Sequence, residues 1–217
     1  MIIKSISGKI IYQSYKRTLK LALEEGVAKK IDFSNADFRY AKLSGASLDG
    51  IKATGASFWG GDLKGADLGL ADLQRCDFRC ANLEAICFAQ SDLSGADLRG
   101  AYCGGMIVEE ALLKDIQVSC PSIWNVDLAR AQDMSGLVYH HLGEKKWRLK
   151  KMPWVVRGVD DFILGEGKCL WRGGIYQATN LPLELEKKLS HIKTSIDRLF
   201  PQKISHIAKD LSSRIYP

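Results

Sequence analysis

Nowhere in its 217 residues does the chain hold an apolar run of about 18 residues, the length a membrane-spanning helix needs. The opening MIIKSISGKIIYQS has neither the long apolar stretch nor the cleavage site of a secretory leader, so the expected compartment is the cytoplasm. Catalytic signatures are missing as well: no GxSxG, no HExxH, no phosphate-binding GxxxxGK(S/T), and no GxGxxG after a strand. All four histidines (His140, His141, His191, His206) lie beyond residue 130, and the six cysteines include no CxxC pair. These absences argue against an enzyme, and no catalytic residue, metal ligand or cofactor is expected.

What the chain has instead is a period of five. Apolar residues occupy Phe33, Phe38, Leu43, Leu48, Ala53, Phe58 and every fifth position after that to Leu128. That makes twenty consecutive positions, of which fifteen are Leu or Phe, so the period decides the fold. Two residues before each centre, thirteen of twenty positions are Ala, Gly, Ser or Cys. Five matches neither the helical period of 3.6 nor the strand period of 2. It does match a chain that turns a corner every five residues, with the centre and the residue two before it pointing inward. Gly or another small or polar residue two places after the centre then eases the corner. In this frame Cys76 and Cys103 point inward, while Cys80 and Cys120 stand about 9.6 Å apart in one column, too far for a disulfide.

The units ADLGL, ADLQR, ANLEA and ADLRG resemble the pentapeptide-repeat family, whose pattern is A(D/N)LXX. The resemblance implies a mainly β protein: a right-handed quadrilateral parallel β-helix with four pentapeptides per coil. Residues 31–130 then give about five coils and a rod roughly 24 Å long, at ~4.8 Å per stacked strand. After Cys103 the pattern decays, with apolar Ile107 and Leu112 at outward sites. This last part is expected to be partly covered by the C-terminal segment.

Three further regions flank the repeats. Residues 1–30 read as a hairpin turning at Ser7-Gly8, followed by a capping helix from Thr18 to about Lys29. Residues 131–180 form a basic, Trp-rich segment with a second hairpin turning near Gly165-Glu166-Gly167. Residues 181–217 carry two amphipathic helical stripes. The first runs through Leu185, Leu189, Ile192, Ile196 and Leu199, and it either docks on the solenoid or joins a homodimer. Charge divides the same way. Residues 31–130 hold 9 basic and 14 acidic residues, a net −5, whereas residues 1–30 carry +5 and residues 131–217 carry +6.

Two surfaces are candidates for a partner. Arg39, Trp59, Arg79 and Arg99 fall in one outward column beside Asp37, Asp77 and Asp97; they form either a self-neutralising surface or a docking strip anchored on Trp59. Lys145, Lys146, Trp147, Arg148, Lys150 and Lys151 form a basic stretch that would suit nucleic acid. Its plainer reading is a strand whose Trp147 and Leu149 pack inward. The leading function is a non-enzymatic scaffold presenting a rigid face to a protein partner, without cofactor or membrane attachment. The family resemblance also implies mimicry of duplex DNA toward DNA gyrase. Nucleic-acid binding through residues 145–157 and a structural role in a phage or prophage assembly are the remaining readings.

Overall fold

The computed structural model describes residues 1–123, 125–141, 146–151, 154–155, 163–165, 168–172, 174–177 and 180–187. All twenty centres of the fivefold pattern are buried, from Phe33 to Leu128. Parallel bridges join each outward residue before a centre to the one twenty residues on, from Asp32 opposite Lys52 through Asp97 opposite Gln117. One turn of the coil therefore takes four pentapeptides. Along one column the bridges stack Phe38 on Phe58 at 5.1 Å and Phe58 on Phe78 at 4.9 Å between ring centroids. Such stacking adds about 0.5–1.5 kcal/mol per pair beyond burial.

The regular corners share one construction. The amide two residues before the next centre donates to the carbonyl of the preceding centre, as Ala36 does to Phe33 at 3.0 Å and Ala46 to Leu43 at 3.0 Å. The residue two places after the centre has positive φ, the sign pattern of a type II turn. Gly45, Gly50 and Gly65 hold that place, and so do Tyr40 at φ 56°, Leu70 at 54° and Arg75 at 56°. In several repeats the Asp before the centre closes the outer side of the turn. Asp32, Asp67 and Asp92 accept the amides of Ser34, Gly69 and Ser94 at 2.8, 3.0 and 2.8 Å. The repeat favours Asp there because a short carboxylate satisfies an amide two residues on.

The first coil would leave strand edges open, and residues 1–30 cover them. Strands β1 (Ile2–Lys4) and β2 (Ile10–Gln13) form an antiparallel hairpin, and Ser5 bridges Ala36 on the coil. Helix α1 (Leu19–Ala28) follows, with the Thr18 hydroxyl capping the Leu21 amide at 3.2 Å. Its buried Ala22, Leu23 and Gly26 face the coil end. Where no strand reaches, side chains of α1 do the pairing. Lys20 Nζ donates to the carbonyls of Ser44 and Gly45 at 3.0 and 2.8 Å, and Glu24 accepts the Ser47 amide at 3.1 Å. The helix ends with Lys30 at φ 58°, and Ile31 N–H bonds the Gly26 carbonyl at 3.0 Å, a Schellman-type close.

The parallel coil continues beyond residue 130. Strand β3 (Gln117–Ser119) pairs in parallel with β4 (Val138–His140), Gln117 facing Val138. This turn takes twenty-one residues, because α2 (Cys120–Ile123) and a 3-10 turn (Leu128–Arg130) replace the regular corners. The inward positions thereby move to Met134 and Tyr139, each 0% exposed. Strand β5 (Lys146–Arg148) closes the last edge antiparallel to β4. Strands β6 (Trp154–Val155), β7 (Ile163–Gly165), β8 (Lys168–Trp171) and β9 (Gly174–Gln177) then form an antiparallel sheet. Gly165 of β7 faces Lys168 of β8, which places the expected second hairpin. Buried Ile163 and Leu170 join the same core as Trp147 and Leu149. Ile107 does not follow the expected covering of the decayed repeats: it stays 49% exposed, while Leu112 is half-buried.

A candidate docking face on the solenoid

A twenty-residue turn puts Arg39, Trp59, Arg79 and Arg99 on successive rungs of one outward column, each one place after an inward centre. The guanidinium of Arg39 grips Asp37 at 2.8 and 2.6 Å, that of Arg79 grips Asp77 at 2.8 and 2.8 Å, and that of Arg99 grips Asp97 through Nη2 at 2.6 Å. The self-neutralising surface therefore forms, two residues apart within each repeat. Arg79 also reaches Asp97 of the next rung at 3.8 Å. Hydrogen bonding from Arg39 holds the Asp37 carboxyl below its usual range. At Asp77 desolvation works the other way, and the bonds from Arg79 overcome it. The same pairing raises all three guanidinium groups above their ordinary value.

Half-exposed ion pairs of this sort contribute about 0–1 kcal/mol each, so their main effect is on geometry. Asp37 and Asp77 each use one oxygen for Nε and the other for Nη2, and Asp97 accepts Nε on both oxygens and Nη2 on one, which fixes the plane of each guanidinium. Among the described residues no hydrogen bond engages the Nη1 groups of Arg39, Arg79 or Arg99. The column is a set of oriented donors on a stiff backbone.

Trp59 interrupts the arginines and is half-buried. Its ring meets Tyr40 edge-on, with centroids 4.7 Å apart. Tyr40 is 65% exposed. The fivefold pattern does not single it out, because it gives a corner residue only a turning role. Its signal was available: position 40 precedes 59 by one less than a full turn, which makes the two neighbours on adjacent rungs. The same column ends on His140, whose Nε2 lies 3.1 Å from Gln117 Oε1.

The basic stretch has a different arrangement. Along β5 the side chains alternate: Trp147 is buried, and Lys146 and Arg148 are exposed. Leu149 is buried after them, while Lys150 and Lys151 face solvent. Arg148 Nη1 lies 3.5 Å from Asp115 Oδ1 on the coil. Lys145 lies outside the described residues. Leu185 is fully buried within the chain, and Leu189, Ile192, Ile196 and Leu199 also lie outside the described residues. Of the cysteines, Cys76 and Cys103 are buried and their thiols are pushed up to about 12 by desolvation, whereas Cys80 is exposed. No described group of His, Cys, Asp and Glu is arranged to hold a metal ion, and no described helix is long and apolar enough to cross a membrane.

The family model for pentapeptide repeats matches residues 31–69 and 76–115, in 8 copies. Among solved structures, a pentapeptide-repeat protein of the Arabidopsis thaliana thylakoid lumen is 30% identical over 42% of this chain and 74% of its own, with a TM-score of 0.23. HetL, a pentapeptide-repeat protein involved in heterocyst differentiation regulation in the cyanobacterium Nostoc, is 24% identical over 51% of this chain, with a TM-score of 0.26. QnrB1, a plasmid-mediated fluoroquinolone resistance protein, is 16% identical over 51% of this chain, with a TM-score of 0.23. The matches span 58% of HetL and 65% of QnrB1. No curated protein matches the chain as a relative.

Proposed function

Because the chain belongs to the pentapeptide-repeat family, we propose that its solenoid is a non-enzymatic scaffold that binds a protein partner. The family implies a right-handed quadrilateral β-helix, and the proposed docking face is the column of Arg39, Trp59, Arg79 and Arg99, with Tyr40 added. One observation carries this reading: the Tyr40–Trp59 pair sits among arginines already oriented by their own aspartates. Trp, Tyr and Arg are the side chains that dominate binding energy at protein interfaces. Here their rotamers are largely fixed before any partner arrives, which reduces the entropy cost of docking. The oriented Nη1 groups suit carboxylates or backbone carbonyls on that partner.

The test is an affinity pull-down from nuclease-treated bacterial lysate, with wild type beside Arg79→Glu/Arg99→Glu and Trp59→Ser. A stoichiometric partner retained by wild type and lost from both variants supports the docking face. If only nucleic acid is retained, and nuclease removes it, the face is not the site. The exposed cations of β5, Lys146 and Arg148, would then become the working surface.

A second reading draws on charge. Residues 31–130 carry a net −5, and Asp49, Asp67, Glu109 and Glu110 lie on neighbouring columns of a side other than the arginine one. This distribution favours mimicry of duplex DNA toward DNA gyrase, as the family resemblance implies. Purified protein should then inhibit gyrase supercoiling, and Asp67→Lys/Glu110→Lys should relieve the inhibition. Supercoiling unaffected at a tenfold molar excess would remove this reading.

A further inference from the structure

The N-terminal hairpin covers one edge of the solenoid and leaves another edge open. Strand β1 lies between the coil and β2, and the sheet ends at β2 among the described residues. Met1 and Ser14 exchange both backbone bonds, at 2.6 and 2.9 Å. Alternation along an antiparallel pair then makes Ile2–Gln13 the non-bonded pair, so the N–H and C=O of Gln13 point away from β1. Beside this edge the outward face of the hairpin is apolar: Ile2, Ile6 and Ile10 are 49%, 51% and 54% exposed. Lys4 and Lys9 rim them, in a segment with seven basic and two acidic residues over positions 1–30.

We propose that the open edge of β2 is a docking site for an acidic, strand-forming peptide segment of a partner protein. Such a segment would add a third strand to the hairpin, its backbone pairing with Gln13 and its apolar side chains lying on Ile2 and Ile10. Charge selects this occupant over a second copy of the chain, because edge-to-edge pairing of two copies would bring the lysines of both together. Edge lysines oppose self-pairing in this way while attracting an acidic strand. A bilayer is the poorer occupant, because hydrocarbon offers no partner for the backbone groups of the edge. The site lies at the end of the rod, where β1 pairs with the rung of Asp37.

The probe is a nine-residue acetylated peptide alternating glutamate and valine, titrated calorimetrically into the full chain. Saturable one-to-one binding is expected, with none for the lysine–valine counterpart. Gln13→Pro removes the outward N–H without touching the bonds to β1, and it should weaken binding at least about tenfold. Lys4→Glu/Lys9→Glu, two exposed positions that leave the backbone intact, should do the same, and melting curves verify that each variant is folded. Unchanged binding in both variants would overturn the proposal. So would capture by phosphatidylserine vesicles with no peptide binding, or wild-type self-association that Gln13→Pro abolishes.

Discussion

Leu70 stands at a corner of the coil with φ 54° and its side chain 61% exposed, so it has the cost of a left-handed backbone and little burial in return. Leu70→Gly should therefore stabilise the protein by about 1 kcal/mol, read from the midpoint of urea unfolding. A loss of stability would mean the leucine has a packing role. The opposite holds at Phe58, which is fully buried and stacked on both sides, where Phe58→Ala should cost about 3–5 kcal/mol. Thiol labelling supplies a third test. Cys80 should react rapidly with a disulfide reagent at neutral pH, while Cys76 and Cys103, held near 12, react only as the protein unfolds. At this scale the inward residues were legible, because a period of five leaves one consistent interior. The left-handed corner was not, since Tyr40, Leu70 and Arg75 are residues that seldom adopt positive φ.

Helix α1 acts as an element through two contacts that its own sequence pattern does not announce. Gly26 lies against the Phe33 ring, so a Cβ there would overlap the ring. Gly26→Ala, normally favourable in a helix, should instead cost about 1–3 kcal/mol through overpacking, measurable by denaturation. Glu25 is the second contact. Its carboxyl is held at about 2, first by the Ser14 hydroxyl and then by Lys29. A depressed carboxylate stabilises the fold above its unfolded value of about 4.5, and that contribution is lost as pH falls toward 2. The difference in melting temperature between wild type and Glu25→Gln should therefore be constant above about pH 5 and vanish near pH 2. A difference that persists unchanged at pH 2 would show that the carboxylate charge is irrelevant. The hairpin and the Thr18 cap were readable from turn and cap residues. The use of Lys20 and Glu24 was not, because it depends on which backbone groups the coil leaves open above them.

Across the whole molecule, each coil is supported only by its neighbours, so protection should fall from the middle toward the ends. Amide hydrogen exchange should be slowest around Leu63 to Leu93 and faster in the first coil and in β4. Deleting residues 1–30 would expose the strand edges of the first coil, and sedimentation should then show concentration-dependent association. A monomer at all concentrations would assign the cap some other role. The sequence by itself determined the repeat, its interior and its family, because one short rule repeated twenty times leaves almost no competing fold. It also contained both halves of the Asp–Arg ladder, since the partners are two residues apart in every rung. Only the tertiary structure decided that the coil slips to a twenty-one-residue turn and runs on to Tyr139. It alone paired Tyr40 with Trp59 and left the far edge of β2 open. Those features depend on contacts between residues a full turn or more apart, where the fivefold pattern is silent about which groups meet.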